Sequence, residues 1–252
     1  MLKEERQGLI LNQIKNSSRV LSSELSQNLN VSEDTIRRDL KELSSKGLIR
    51  KVHGGAVLLE SSYIPMKYAD RGTFASREKE IIAKKAVALL KDDMLVFIDG
   101  GTTNLEIAKS LPSDIKLTVI TNCFPVAAEL VNKENISTIF LGGEVPHGVP
   151  ITVGADTLNY LSEINADVFF IGTRSISLER GLSDIDRSEV LVKRKMAERS
   201  SKVVSVATSD KLESVQSFSI ISINDLDVLI TELNPNNPIL SNYKEKSSLI
   251  IL

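Results

Sequence analysis

The chain has 252 residues, enough for two domains, one of them with a sizeable core, and a formal net charge of −2. Its single cysteine, Cys123, excludes an internal disulfide framework, and its longest apolar runs are strand-length, so a cytoplasmic protein with no membrane span is expected. Charge is uneven: residues 1–57 carry ten Lys/Arg against seven Asp/Glu, net +3, and the remainder is net −5, which suits nucleic-acid contact confined to one end.

Leu9, Ile10, Leu11 and Ile14 predict an amphipathic helix over roughly Lys3 to Asn16. Ser22-Ser23-Glu24-Leu25-Ser26-Gln27 reads as a capped second helix, closed by the turn Asn28-Leu29-Asn30. A third helix opens at Ser32, which can cap it, while Glu33 and Asp34 place negative charge where the helix dipole favours it. At helical spacing Ile36, Leu40 and Leu43 line one face; Asp34, Arg38, Lys41 and Ser45 point away, flanked by Thr35 and Arg37. Two short helices and a tight turn ahead of such a third helix specify a helix-turn-helix, and the third helix can enter a DNA major groove. Gly47 stops that helix. Leu48 to Val52 alternates into the turn His53-Gly54-Gly55, and Ala56 to Leu59 returns, giving a β-hairpin wing with basic residues placed to meet phosphates. The expected DNA contacts are Ser32, Thr35, Arg37, Arg38, Lys41, Arg50, Lys51 and His53, and the expected partner is double-stranded operator DNA.

Arg6, the run V-S-E-D-T-I-R-R-D-L at 31–40 and H-G-G-A at 53–56 closely resemble the N-terminal pattern of the DeoR family of bacterial transcriptional repressors. The winged helix-turn-helix is expected to occupy residues 1–57. Residues 58–76, with Pro65 and Gly72 and no clear periodicity, read as a linker whose Tyr63, Ile64, Met66, Tyr68 and Phe74 imply docking on a surface.

From residue 77 to 252 helices and short apolar strands alternate. A helix from Glu78 leads to the strand Met94–Ile98, and a helix over Asn104–Leu111 to the strand Leu117–Thr121. Phe124–Lys133 precedes Ser137–Leu141, Asp156–Ile164 precedes Val168–Ile171, and Ser188–Arg199 precedes Lys202–Val206. Asp227–Ile230 and Ser248–Leu252 are late strands. This alternation specifies an α/β domain with a mainly parallel, doubly covered sheet.

Ligands of open α/β sheets bind outside the carboxyl ends of the strands. Those ends deliver Asp99-Gly100-Gly101-Thr102-Thr103, Thr121-Asn122, Gly142-Gly143, Gly172-Thr173-Arg174 and Ala207-Thr208-Ser209-Asp210-Lys211. Glycines that let the backbone approach an anion, hydroxyls at a helix start and a cation from Lys211 point to a phosphorylated small molecule. The family resemblance extends here: D-G-G-T-T at 99–103, T-N at 121–122, L-G-G at 141–143, Gly154, E-V-L-V-K-R-K-M at 189–196 and Glu78-Lys79 are similar to the effector domain of DeoR-type regulators. T-S-D-K-L at 208–212 stands where that family usually reads D-S-S-K-F. The resemblance implies a fold like that of sugar-phosphate isomerases and a repressor of carbohydrate metabolism that senses a phosphorylated sugar, without cofactor or metal. Lys193, within the matched run, joins Asp99, Gly100, Gly101, Thr102, Thr103, Asn122, Gly142, Gly143, Gly172 and Lys211 as an expected effector contact.

Two other functions fit parts of the pattern. An isomerase needs a carboxylate base, and Asp99 is the one plausible candidate in the absence of an acidic D-G-A-D-E-type loop. A sugar kinase would use I-D-G-G-T-T-N as a phosphate loop but needs a second lobe, and only about 150 residues follow Asp99. A single winged module buries limited DNA surface, so a homo-oligomer, dimer or tetramer, assembled through the acidic C-terminal body, is expected.

Overall fold

The computed structural model describes residues 3–17, 19–45, 48–52, 54–57, 68–246 and 249–252. The chain divides into two compact units, Met1–Pro65 and Met66–Leu252.

In the first unit α1 (Lys3–Ser17), β1 (Arg19–Leu21), α2 (Ser22–Leu29) and α3 (Glu33–Ser45) precede β2 (Arg50–Val52) and β3 (Gly55–Val57). The turn into α3 is made by Asn30, whose left-handed backbone (φ 50°) closes α2, and by Ser26 Oγ, which donates to Val31 O at 2.6 Å. Ile10, Ile14, Leu25, Ile36, Leu40, Leu43 and Ile49 form the core with Val20 and Ala56. Leu9, expected on the apolar face of α1, is 44% exposed. The wing hairpin pairs Lys51 with Ala56 and Val52 with Gly55. The sequence reading missed its third strand: β1 pairs antiparallel with β3, Val20 opposite Ala56, so β3 is central. Gly47, His53 and Leu58 to Met66 of the expected stop, turn and linker lie outside the described residues.

The second unit begins with α4 (Tyr68–Thr73) and α5 (Ser76–Val87), the former inside the stretch expected as a linker. β4 (Met94–Ile98), α6 (Thr102–Ser110), β5 (Leu117–Thr121), α7 (Phe124–Leu130), β6 (Ile136–Phe140), α8 (Ala155–Ser162) and β7 (Val168–Gly172) follow. After β8 (Ser175–Ser177) and β9 (Gly181–Asp184) come α9 (Arg187–Glu198), β10 (Val203–Val206), β11 (Phe218–Ser219), β12 (Val228–Ile230), α10 (Pro238–Lys246) and β13 (Ile250–Ile251).

Seven strands form one sheet in the order β6-β5-β4-β7-β10-β12-β13, and every pair is parallel. Phe97, Ile98, Phe169, Phe170 and Ile171 are fully buried, as strands covered on both faces require. α5, α6 and α7 pack side by side, and α8 packs against α9. β8, β9 and β11 make a small antiparallel sheet that the sequence reading did not anticipate. α10, also unanticipated, buries Tyr243, whose hydroxyl donates to Ile176 O at 3.2 Å and so ties the C-terminal helix to β8. The order of the sheet reverses between β4 and β7. At their carboxyl ends two successive crossovers depart in opposite directions, and a crevice opens there.

Candidate functional site

On α3 the side chains divide as the helical spacing requires. Ile36, Leu40 and Leu43 are buried, while Arg37, Arg38, Lys41 and Ser45 are exposed. Ser32 Oγ accepts from the Thr35 amide at 3.2 Å and lies 2.9 Å from Thr35 Oγ1, so both residues are engaged in the helix start. Arg37 Nη2 donates to Glu33 Oε2 at 3.0 Å and Arg38 Nη2 to Asp34 Oδ2 at 2.7 Å. Exposed pairs of this kind contribute about 0.3–0.5 kcal/mol each, so the guanidinium groups can be surrendered to a phosphate or base edge at small cost. Lys51 is exposed on β2; Arg50 contributes its backbone to the same strand, and His53 lies outside the described residues.

One polar residue of α3 is not a candidate contact at all. Asp39 is 2% exposed and accepts from Arg6 Nε at 2.6 Å and from Gln7 Nε2 at 3.3 Å, which pins α1 to α3. The only trace in the sequence was a carboxylate set directly before Leu40 in the buried stripe.

In the second unit, Asp99 follows β4 at the switch point and is buried. Its Oδ1 accepts from the Gly172 amide at the end of β7, at 2.9 Å, and from Asn104 Nδ2. Its Oδ2 stands 3.8 Å from Lys193 Nζ. Burial raises the Asp99 pKa to about 8, against the pull of Lys193 and the Gly172 amide, so the carboxyl is largely protonated at neutral pH. Gly172 allows this approach: a Cβ there would come within 2.8 Å of Gly100 O.

The two glycines after Asp99 differ. A Cβ on Gly100 would come within 2.5 Å of Ile151 Cγ2, so that position is closed by the chain returning from β6. Gly101 has φ 135°, a backbone that side chains rarely adopt, and open space beside it. It sets α6 so that the buried Thr102 and Thr103 lie in the first turn, where amides have no acceptor within the helix. Asn122, also buried, donates from Nδ2 to Thr152 O at 2.7 Å. Gly142 and Gly143, after β6, are exposed, and Gly142 O accepts from Thr157 Oγ1 of α8 at 2.7 Å.

The two lysines named by the sequence reading meet different surroundings. Lys193 Nζ lies 2.7 Å from Asp184 Oδ2 and 2.8 Å from Glu189 Oε1, and Asp184 is held in turn by Arg174 Nε at 3.0 Å. Burial by itself would lower Lys193 and raise Asp184, but mutual attraction prevails: Lys193 is raised and Asp184 lowered. Its ammonium is thus committed to carboxylates. Lys211, half-buried in the 3₁₀ turn after β10, donates its backbone N–H to Thr208 O at 3.0 Å, while its ammonium has no hydrogen bond or ion pair among the described residues. Burial pushes its pKa down to about 8, opposed by Asp210 and reinforced by Arg71, Lys79 and Lys193.

Sequence reasoning placed Arg174 on the rim without a role and missed Asn104, Asp184 and Glu189, which together engage Asp99 and Lys193. Cys123 is buried and its thiol pushed up to about 11 by burial, which excludes a thiolate nucleophile at neutral pH. Among the described residues no group of three or more His, Cys, Asp or Glu side chains is placed to hold a metal, and no helix is long and apolar enough to cross a membrane.

Residues 6–62 match the model of the DeoR-like helix-turn-helix domain, and residues 75–233 that of the DeoR C terminal sensor domain. The HTH-type transcriptional regulator GolR of Listeria innocua is 35% identical over 241 residues, covering 96% of this chain and 95% of its own. The glycerol-3-phosphate regulon repressor of Escherichia coli is 33% identical over 235 residues, covering 93% of each. Among solved structures, ribose 5 phosphate isomerase A from Neisseria gonorrhoeae aligns with 54% of this chain and 53% of its own at 19% identity and a TM-score of 0.41.

Proposed function

This chain belongs to the DeoR family of helix-turn-helix transcriptional regulators with a C-terminal sensor domain, and on that premise we propose that it represses a carbohydrate-metabolism operon under the control of a phosphorylated sugar or related metabolite. One observation carries the sensor half of the reading. The carboxyl ends of β4 and β10 lie along one edge of the sheet and lead into the first-turn amides of α6, Thr102 and Thr103, and into Lys211, whose ammonium has no hydrogen bond or ion pair among the described residues. Amides and dipole at a helix start favour a phosphate, and a lysine supplies the opposite charge. Beside them Asp99 Oδ2, Asn104 Oδ1 and Asn122 Oδ1 are buried with no hydrogen-bond partner among the described residues, which suits the hydroxyl groups of a sugar.

In the DNA-binding half, α3 enters the major groove with Thr35, Arg37, Arg38 and Lys41, while Arg50, Lys51 and His53 of the wing meet phosphates. Paired half-sites call for a dimer or tetramer, and the protein works in the cytoplasm. A binding role is favoured over an isomerase. Asp99 Oδ1 is held by the Gly172 amide and by Asn104 Nδ2, and the nearby Asp184 and Glu189 are engaged by Lys193.

The test is a thermal-shift panel of sugar phosphates, followed by DNA titration with the best ligand and an isomerase assay on the same preparation. Thr102→Ala combined with Thr103→Ala is expected to abolish the ligand response while operator binding stays normal. Coupling of this kind usually spans about 5–150-fold in operator affinity. A double mutant that responds like the wild type would move the phosphate elsewhere, and sugar-phosphate turnover would favour the enzyme.

A further inference from the structure

The parallel sheet has two edges, and they are unlike. β13 is two residues long, whereas β6 is five residues long and pairs with no strand on its outer side among the described residues. Natural edges are blunted by shortness, charge or proline. The run I-S-T-I-F-L-G-G at 136–143 has neither charge nor proline. Leu117 N donates to Asn135 O at 3.3 Å and Leu141 N to Thr121 O at 2.9 Å. Ser137 and Ile139 therefore turn their backbone toward β5, and Ile136, Thr138 and Phe140 turn theirs outward. The Ile136 amide is taken by Lys133 O at 3.1 Å, which leaves the Thr138 and Phe140 amides as the outward donors.

α7, which packs on β6, carries a second signal. Its Val126 and Leu130 are buried, while Phe124, Ala128 and Val131 form an exposed apolar stripe at i, i+4 and i+7, with Val131 74% exposed. Phe124 stacks on Phe140 with ring centroids 4.8 Å apart, so that end of the stripe lies at the carboxyl end of β6. Val131, from which the chain turns into β6, lies at the amino end.

We infer that the β6 edge and the α7 stripe form an interface with a second copy of this chain, about a two-fold axis through Thr138. Each element matches itself about its midpoint. With the two β6 strands antiparallel, the Thr138 amide meets the carbonyl of the other Thr138, and the Phe140 amide meets the carbonyl of the other Ile136. The Thr138 hydroxyl, buried without a hydrogen-bond partner among the described residues, comes opposite its own copy. The same axis sets Phe124 against the other Val131 and Ala128 against the other Ala128, where small side chains let the helices approach. A bare edge would accept any extended peptide, but a stripe that fits its own two-fold image selects a second copy. Stable dimers bury about 1,200–2,000 Å² in total, more than one short strand edge offers, so the stripe is a necessary part of the surface. The inference rests on the dimer or tetramer reading above and names the surface that reading leaves open.

The experiment is sedimentation velocity of the full chain at micromolar concentration. It compares wild type, Ala128→Arg, Ala128→Glu, an equimolar mixture of the two variants, and Thr138→Pro. Position 128 is exposed and both replacements are good helix formers, so the fold is kept. Wild type is expected to assemble. Each Ala128 variant sets like charges across the axis and should weaken that step at least about 100-fold. The mixture, with opposite charges, should restore it, which mixing two misfolded chains would not do. Thr138→Pro removes an outward donor, leaves the ladder to β5 intact and should weaken the same step. Assembly of both Ala128 variants as in wild type, or a mixture that stays dissociated, overturns this interface and leaves the oligomer reading standing. A Thr138→Pro variant that assembles normally removes the strand pairing. A wild type that is monomeric with and without DNA removes the oligomer reading and this inference together.

Discussion

Arg38 and Lys193 are both helical cations with a carboxylate one turn earlier, Asp34 for one and Glu189 for the other. The sequence makes them look alike. Arg38 has a side chain 81% exposed, so its pair with Asp34 sits in water and contributes only about 0.3–0.5 kcal/mol. Lys193 is 4% exposed and also meets Asp184 and Asp99, so its charge cannot leave without stranding carboxylates in the interior. An exposed pair leaves a guanidinium that can exchange its partner at small cost. A buried cluster instead ties α9 to β9 and to the end of β4. The first unit therefore presents its cations on replaceable surface pairs, and the second unit builds its own into the core.

The largest break in that contrast comes from Lys193→Met. It leaves Asp184 with Arg174 as its remaining cation and takes the cation from Glu189, and is expected to destabilise the second unit by about 3–5 kcal/mol in denaturant unfolding. A loss below about 1 kcal/mol would show that the cluster is hydrated and that the contrast is false. Arg38→Ala comes next, with the opposite profile. Operator affinity should fall by about 1–3 kcal/mol, as for one good bidentate base contact, while unfolding stability changes by less than about 0.5 kcal/mol. Undiminished binding in a gel-shift titration would displace α3 from the groove.

Lys211 sharpens the comparison through pH. Its pKa lies near 8 in the folded protein, below the usual lysine value, so the ammonium loses its charge as pH rises through that point. Affinity for a phosphorylated ligand should then drop by up to about tenfold per pH unit above 8, since the site binds the protonated form. Lys211→Arg should flatten this dependence in calorimetric titrations from pH 7 to 9.5, because a guanidinium stays charged throughout. A wild-type affinity that does not change across that range would remove Lys211 from the anion site. The smallest effect belongs to Lys51→Ala, which should lower the salt slope of DNA binding by about 0.9 without relaxing sequence preference. A slope equal to that of the wild type would take Lys51 off the phosphate backbone.

Much of this was legible because periodicity reports faces. Ile36, Leu40 and Leu43 are buried and Arg38 and Lys41 exposed, as their spacing requires. The main parallel strands were legible for a related reason: a strand covered on both faces must be apolar throughout, and Phe97-Ile98 and Phe169-Phe170-Ile171 are. β8 and β9 were not, because Ser175 and Ser183 are polar yet buried, their hydroxyls bonded to Gln216 from a distant loop. Nor was α4, a helix of one turn and a half whose carbonyls are satisfied by Lys79 from the next element.

The sequence by itself determined the buried and exposed faces of α3, the alternation of helices and strands in the second unit and its parallel sheet. These follow from local rules of spacing, capping and apolar runs, which act over a few residues. Tertiary structure alone decided what each polar residue does. The contact between Asp99 and Gly172 spans 73 positions, and it exists because β4 and β7 are neighbours in the sheet. Burial then raised the Asp99 carboxyl, lowered the Lys211 ammonium, and enclosed Lys193 with the acids that hold its charge. Charge state depends on solvent exposure and on partners brought from afar, and no local pattern encodes either.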